Sequence, residues 1–403
     1  MKILVICQYY APEPFRISDI CEELVRRGHE VMVVTGVPNY PEGEIYPGYE
    51  NGQKRDETIN GVKIHRCWII PRKRGAINRF LNYFSYPISS SRFVRSQACR
   101  AEDGSAFDVV FVNQLSPVMM AWPGIAYKKK HHVPLVLYCL DLWPESLTAG
   151  GIRRGSPIYR VFHRISKSIY TRIDRILVTS RMFTEYLHRE FGVSSEFVDY
   201  LPQYAEGIFE PLPYKDTEMF DFVFAGNIGV LQRVDTILRA AALLKDEPVH
   251  FHIVGGGSEL NRLEAMAQEL RLNNVTFYGR RPVAEMPKIY ALADAMLVTL
   301  SADPVLSLTL PGKVQSYMAA GKPVIGAIDG ETETVIREAQ CGYCGPAEDV
   351  EGLAENIKKF IGDADRRVMG VNARAYYETH FARERFMDAL EETLKLFTYS
   401  EVR

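Results

Sequence analysis

Short apolar runs rich in β-branched residues alternate with amphipathic helical stretches along the whole chain, and no other feature restricts its fold as much. Residues 3–7 read as a buried strand. Ile17, Ile20, Cys21, Leu24 and Val25 then fall on one helical face, Gly28 closes that helix, and residues 30–35 are the next strand. Strands are expected again at 62–66, 108–113, 135–140 and 175–179. The second half repeats the style at 222–225, 250–254, 275–278, 295–299, 323–326 and 342–344, with helices such as 234–244 and 259–270 between them. Alternation of this kind specifies parallel sheets covered by helices on both faces.

A chain of 403 residues is long enough for two cores. The segment 202–217 is dense in Pro and Gly near its start and lacks periodicity, so it reads as the linker. The expected fold class is therefore α/β, with Rossmann-like domains at 1–203 and 204–380. Ligands of such sheets bind beyond the carboxyl ends of the strands, which puts the expected active site in an interdomain cleft. The first seven residues are too short an apolar run for a leader, and no run reaches the roughly 18 residues of a membrane span. Seven cysteines, an odd number, suit reduced thiols in a cytosolic protein. Cys341 and Cys344 have CxxC spacing but no second pair, so strand packing is the plainer reading.

The net charge of −2 conceals an asymmetry. Lys plus Arg outnumber Asp plus Glu by 27 to 20 over residues 1–200 and trail by 21 to 30 over the rest. From Thr58 to Ala101 there is no acid, and Lys63, Arg66, Arg72, Lys73, Arg74, Arg79, Arg92, Arg95 and Arg100 interleave with Phe80, Leu81, Tyr83, Phe84, Tyr86, Ile88 and Phe93. A second basic run from Arg153 to Arg181 contains Asp174 as its one acid. Basic stretches mixed with aromatic residues suit an anionic membrane surface. A solvated helix face is the alternative, and no nucleic-acid fold accompanies the charge.

The richest local motif is T-L-P-G-K-V-Q-S-Y-M-A-A-G-K-P-V-I, from Thr309. A Pro-Gly turn opens a helix with Lys313 in its first turn, so turn, dipole and lysine together make an anion site. A surface lysine is the alternative. Phe222 begins F-V-F-A-G-N-I-G-V-L-Q-R-V-D, where Gly226, Asn227 and Gly229 let backbone approach a phosphate and Arg233 can pair with an anion. It has neither the dinucleotide GxGxxG order nor that of a P-loop. Gly255 ends another strand in glycines. Glu331 is placed either to bond a ribose or to start a helix in solvent. In the first half, Asp141 follows a buried strand and is either catalytic or a helix cap. Trp143 beside it suits a sugar or lipid platform. Glu13 and Gln114 follow two other strands and point toward the same cleft. No cluster of histidines has metal spacing, and Asp363-Ala364-Asp365 sits in a polar helix junction rather than after a strand.

Assembled, the chain resembles the family-4 glycosyltransferases of the GT-B fold over nearly its whole length. Y-Y-A-P-E-P-F-R-I-S-D, R-G-H-E-V-M-V-V-T-G-V-P-N-Y-P, L-D-L-W-P-E-S-L, F-A-G-N-I-G and P-G-K-V-Q-S-Y-M-A-A-G-K-P-V-I carry the likeness. It is most similar to the WbuB-type subgroup, the N-acetyl-L-fucosamine transferases of O-antigen and capsule assembly. The resemblance implies a C-terminal helix, 381–403, crossing back to the first domain. It implies a UDP-sugar donor held by the second domain and a lipid-linked (undecaprenyl diphosphate) saccharide held by the first. It further implies retention of configuration, no obligatory metal or cofactor, and a place on the cytoplasmic face of the membrane. Asp141, Arg233 and Lys313 become the catalytic candidates. Gly226, Asn227, Gly229, Gly255, Gly312, Gln315 and Glu331 become donor contacts, and Glu13, Gln114 and Trp143 acceptor contacts. Leu308 and Ser316 stand where the family often carries two glutamates, and Asn227 where many members have Arg, which moves diphosphate charge onto Arg233 and Lys313. A UDP-sugar epimerase and a non-catalytic membrane-bound partner are the alternatives. The basic aromatic stretch speaks against the first.

Overall fold

The computed structural model describes residues 1–71, 75–214 and 218–399. The chain divides into two compact units, Met1–Leu201 with Met387–Arg403, and Pro202–Phe386.

Unit 1 holds β1 (Lys2–Ile6), β2 (Glu30–Gly36), β3 (Asp56–Ile59), β4 (Val62–Cys67), β5 (Val109–Gln114), β6 (Leu135–Cys139), β7 (Arg175–Val178) and β8 (Val198–Tyr200). Their order is β3-β4-β2-β1-β5-β6-β7-β8. Every pair is parallel except β3 with β4. Helices α1 (Ile17–Arg26), α2 (Ala76–Val94), α3 (Trp122–His131), α4 (Pro157–Tyr170) and α5 (Arg181–Phe191) cover it. Apart from Lys2, the central strands β1, β5 and β6 are buried along their length, as their apolar runs require. β1 is flanked by β2 on one side and β5 on the other, so the chain reverses direction across the sheet there, and loops after β1 and β5 open at a topological switch point.

Unit 2 holds β9 (Phe220–Ala225), β10 (Val249–Val254), β11 (Val275–Gly279), β12 (Ala295–Thr299), β13 (Val324–Ala327) and β14 (Gly342–Gly345), in the order β11-β10-β9-β12-β13-β14. All pairs are parallel. Its helices are α6 (Val234–Leu243), α7 (Leu260–Glu269), α8 (Met286–Tyr290), α9 (Gly312–Ala319), α10 (Glu331–Glu338), α11 (Val350–Gly362) and α12 (Arg366–His380). Here the switch point lies between β9 and β12. One apolar core fills each face of the sheet. The last helix, α13 (Arg383–Tyr399), buries Met387, Leu390 and Leu394, and Arg27 bonds Asp388 (2.7 Å) and Glu391 (3.0 Å) within unit 1.

Two strands were not expected from periodicity. β3 is short and polar and pairs antiparallel at the sheet edge, and β8 has three residues. Arg66, counted among the surface cations, is buried and ion-paired with Glu57 across β3 and β4. Arg72, Lys73, Arg74 and the Arg79 side chain lie outside the described residues, as does the Phe397 side chain. All seven cysteines are free, and Cys341 and Cys344 point their thiols at backbone carbonyls of Ile336 and Ile328.

Candidate active site

The second unit assembles its site where β9 ends. Gly226 has φ +147°, and a side-chain Cβ there would lie 2.7 Å from the Lys313 Nζ. The backbone angle favours glycine, and the missing side chain leaves room for the lysine to lie against the strand end. Lys313 comes from α9, which leads from β12 to β13. Tyr317, one turn along the same helical face, fixes the approach, because its hydroxyl donates to Ala225 O (2.9 Å) and accepts from Ala225 N (3.1 Å). The Lys313 ammonium sits 3.7 Å from the centre of the Phe224 ring. It is buried and makes no hydrogen bond among the described residues. Burial alone pushes its pKa down to about 7. Gly226, Asn227 and Gly312 beside it are exposed, so the backbone on either side of the ammonium is open.

A buried, unpartnered ammonium at a helix start is costly unless something else supplies negative charge. The α9 N-cap is Pro311, which has no side-chain acceptor. By contrast α4, α5 and α11 are capped by Ser156, Ser180 and Asp349.

The other donor candidates fall into place differently. Gly255 (φ +147°) faces the back of the first glycine loop, where a Cβ would stand 1.8 Å from Gly226 O. It lets two strand–helix turns interlock, with Ile228 N bonded to Gly256 O (3.0 Å), and is a packing glycine rather than an open contact. Gly229 N and Asn227 Nδ2 both donate to Gln232 Oε1 at 3.1 and 3.0 Å, which fixes that turn. Arg233 is not an unpaired cation. It adopts φ +45° and reaches Asp235 (3.1 Å) and Glu348 (2.5 Å), two carboxylates that satisfy the charge. Gln315 is buried, and with its amide nitrogen turned to donate it bonds Pro311 O (3.0 Å) and Gly312 O (3.1 Å). Glu331 is buried in the first turn of α10 rather than solvated.

In unit 1, Asp141, Gln114 and Trp143 come together around Ser116. Ser116 Oγ donates to Asp141 Oδ2 (3.1 Å) and accepts from Trp143 Nε1 (2.8 Å), while Gln114 Nε2 donates to Asp141 O (2.9 Å). Asp141 is half-buried. Trp143 is fully buried, so the platform expected of it is absent. Its ring meets Tyr83 and Phe162 edge-on, each at 5.5 Å, as core packing. Gln114 is fully buried as well, and its contacts position the Asp141 loop rather than reach outward. Glu13 is also buried. Its carboxylate accepts from the backbone N–H groups of Tyr10 (3.3 Å), Asn39 (2.8 Å) and Tyr40 (2.7 Å). Burial outweighs those donors and raises its pKa to about 7. It ties two loops together and is not an open acceptor contact.

Sequence reasoning passed over Phe224, Tyr317 and Glu348. Tyr317 carried a signal, since it lies four residues after Lys313. Ser316, standing where an acid was anticipated, donates to Glu206 Oε2 (3.2 Å), a carboxylate from elsewhere in unit 2. Among the described residues no group of three or more His, Cys, Asp or Glu side chains is placed to hold a metal.

Comparison with known proteins places both halves. Residues 15–203 match the family model described as glycosyl transferase 4-like domain, and residues 212–376 match that of glycosyl transferases group 1. The putative colanic acid biosynthesis glycosyl transferase WcaI of Escherichia coli is 27% identical over 390 residues, covering 90% of this chain and 92% of that protein. The sucrose-phosphate synthase of Thermosynechococcus elongatus superimposes with a TM-score of 0.77 at 16% identity, over 99% of this chain and 100% of that one. Anabaena Alr3699/HepE in complex with UDP and glucose gives 0.69 at 16% identity, over 98% and 99%.

Proposed function

We propose that this chain, a group 1 glycosyltransferase of the GT-B fold, moves a sugar from a UDP-sugar to a lipid-linked saccharide during assembly of a bacterial surface polysaccharide. The observation that carries the reading is the unpartnered Lys313 ammonium packed on Gly226. A nucleotide diphosphate supplies the missing charge. The exposed backbone of Gly226, Asn227 and Gly312 adds room for its oxygens. The similarity to a colanic acid enzyme and to a structure that contains UDP supports the pathway class and the base. The donor sugar is read as an N-acetylated 6-deoxyhexosamine such as N-acetylfucosamine, from the motifs shared with that subgroup.

Chemistry then rests on the leaving group. The acceptor hydroxyl oxygen bonds to the anomeric carbon on the face from which the diphosphate departs. The carbon–oxygen bond to the diphosphate breaks, and the hydroxyl proton passes to the departing diphosphate oxygen. Configuration is retained, and the chain's part is positioning and charge stabilisation. Lys313 holds the diphosphate charge without an obligatory metal. Arg233 adds a second charge only by exchanging Glu348 for phosphate, and Asp141 orients a hydroxyl. The enzyme works at the cytoplasmic face of the membrane, although no described helix is long and apolar enough to cross it.

Lys313→Ala should lower kcat/KM for the UDP-sugar by roughly 10²-fold, about 2–3 kcal/mol of transition-state stabilisation. Unchanged transfer from a panel of UDP-, GDP- and dTDP-sugars would overturn the assignment.

A further inference from the structure

We infer that α2 and α4 of unit 1 form one docking face for an anionic lipid bilayer, deepening the lipid-linked-acceptor reading, on which it rests for its purpose though not for its observations. The two helices meet through aromatic side chains. The Phe80 and Phe84 rings of α2 stand 6.4 and 6.3 Å from Phe162 of α4. The buried side of α2 mixes apolar residues, Tyr83, Tyr86 and Val94, with polar ones whose hydrogen bonds are made inside the fold: Asn82 Nδ2 donates to Ile70 O, Ser85 Oγ accepts from Ile70 N, and Tyr86 donates to Val34 O. Its outward side carries Phe80, Leu81 and Ile88, which are 53%, 43% and 48% exposed. α4 adds Ile158 and Val161, exposed by 55% and 52%. Five large apolar side chains exposed on two neighbouring helices have a further environment to enter.

The charge around these residues identifies that environment. Arg92 on α2, Arg95 just past its end, and Arg160, Arg164 and Lys167 on α4 are exposed. Neither helix contains an acidic residue. Beside α2, an open cavity of about 430 Å³ is lined by Arg55, His65, Ser89, Arg92, Phe93 and Trp68, and Trp68 is 59% exposed. An anionic bilayer answers both features: acyl chains take the aliphatic side chains, headgroups take the cations, and indole rings favour the boundary between them. Aliphatic residues such as Ile88, Ile158 and Val161 offer nothing to a nucleic acid, which is held by charge and ring stacking. A protein partner would need its own acidic rim.

Flotation of the full-length protein with phosphatidylcholine vesicles, with and without 30% phosphatidylglycerol, tests the face. Wild type should float with the anionic vesicles at low salt and be released at high salt. Ile88→Glu combined with Val161→Glu should cut that binding at least tenfold. Arg160→Glu combined with Arg164→Glu should remove the dependence on anionic lipid, roughly fivefold per charge. Circular dichroism and the thermal shift given by UDP should stay as in wild type for both variants. Wild type that ignores anionic vesicles, or variants that float like wild type, would overturn the inference. So would a wild-type dimer that the Ile88→Glu, Val161→Glu variant converts to a monomer while vesicle binding is unchanged, because the face would then belong to a second copy. The two readings fail separately: loss of the UDP shift with intact flotation strikes the donor site, and loss of flotation with an intact UDP shift strikes this face.

Discussion

Glu13 in unit 1 and Lys313 in unit 2 are each buried beyond a central strand at a topological switch point, and burial drives both toward the same pKa of about 7. The acid is pushed up and the base down, for the same reason: the charged form has lost its water. They differ in what surrounds them. Three backbone N–H groups converge on the Glu13 carboxylate. The Lys313 ammonium has the face of Phe224 and no hydrogen-bond acceptor among the described residues. A satisfied buried charge holds a fold together, whereas an unsatisfied one is a cost that a ligand can relieve. By that criterion Glu13, which the sequence offers as an acceptor contact, is structural, and Lys313 is the site.

The comparison is broken most readily at Glu13. Glu13→Leu strands three buried N–H donors between the loops at residues 8–15 and 37–46, and should destabilise unit 1 by about 3 kcal/mol. All three tryptophans, Trp68, Trp122 and Trp143, belong to unit 1, so urea unfolding followed by tryptophan fluorescence reports that unit alone. A change below about 0.5 kcal/mol would mean that the carboxylate is not structural. The UDP shift, which reports unit 2, should be unaffected.

The second expected effect is on pH dependence, and its sign follows from the direction of the Lys313 shift. In the free protein the ammonium loses its proton as pH rises through about 7. A bound diphosphate favours the charged form and keeps the proton in place. Above pH 7 binding of UDP must therefore take up a proton, and its Kd should rise by about tenfold per pH unit, about 1.4 kcal/mol. Titration calorimetry in two buffers of different ionisation enthalpy measures the proton uptake. Lys313→Met should abolish it. Equal uptake by the variant would move the titration to another group.

Much of the architecture was legible because it depends on local pattern. Buried parallel strands are apolar along their length, so periodicity found them and missed only β3 and β8, which are short and lie at the sheet edges. The depth of a side chain was less legible. Trp143 looks like a platform in L-D-L-W-P-E-S, yet Tyr83 and Phe162 from two helices enclose it. Arg233 looks free after its glycine turn, yet Glu348 arrives from beyond β14. The Lys313 motif announces a helix start and a cation, but its burial comes from Phe224 and Gly226 on a distant strand end. Each of these depends on a long-range neighbour that no local spacing encodes. The same limit applies to the two basic stretches: their charge is legible from spacing, but the exposure of Phe80, Leu81, Ile88, Ile158 and Val161, and the approach of Phe80 and Phe84 to Phe162, come only with the fold.

The smallest expected effect is the most discriminating. Lys313→Met keeps the length and apolar stem of the side chain and removes the ammonium from its place over Phe224. If the lysine were structural, as Glu13 is, the substitution would destabilise unit 2. If it is an unsatisfied charge held ready for an anion, the free protein should lose nothing and gain on the order of 1 kcal/mol, since a desolvated cation has been replaced by a thioether. A lysine whose folded pKa lies at about 7, below the ordinary 10.5, binds fewer protons folded than unfolded across that window, so wild-type stability should climb as pH rises from 7 toward 10.5 and the variant should lack that contribution. Hydrogen exchange at the amides of β9 and α9, compared at pH 7 and pH 9, isolates the effect from the buried tyrosines and cysteines that titrate higher. Faster exchange in the variant at both pH values would show that Lys313, like Glu13, is there to hold the fold.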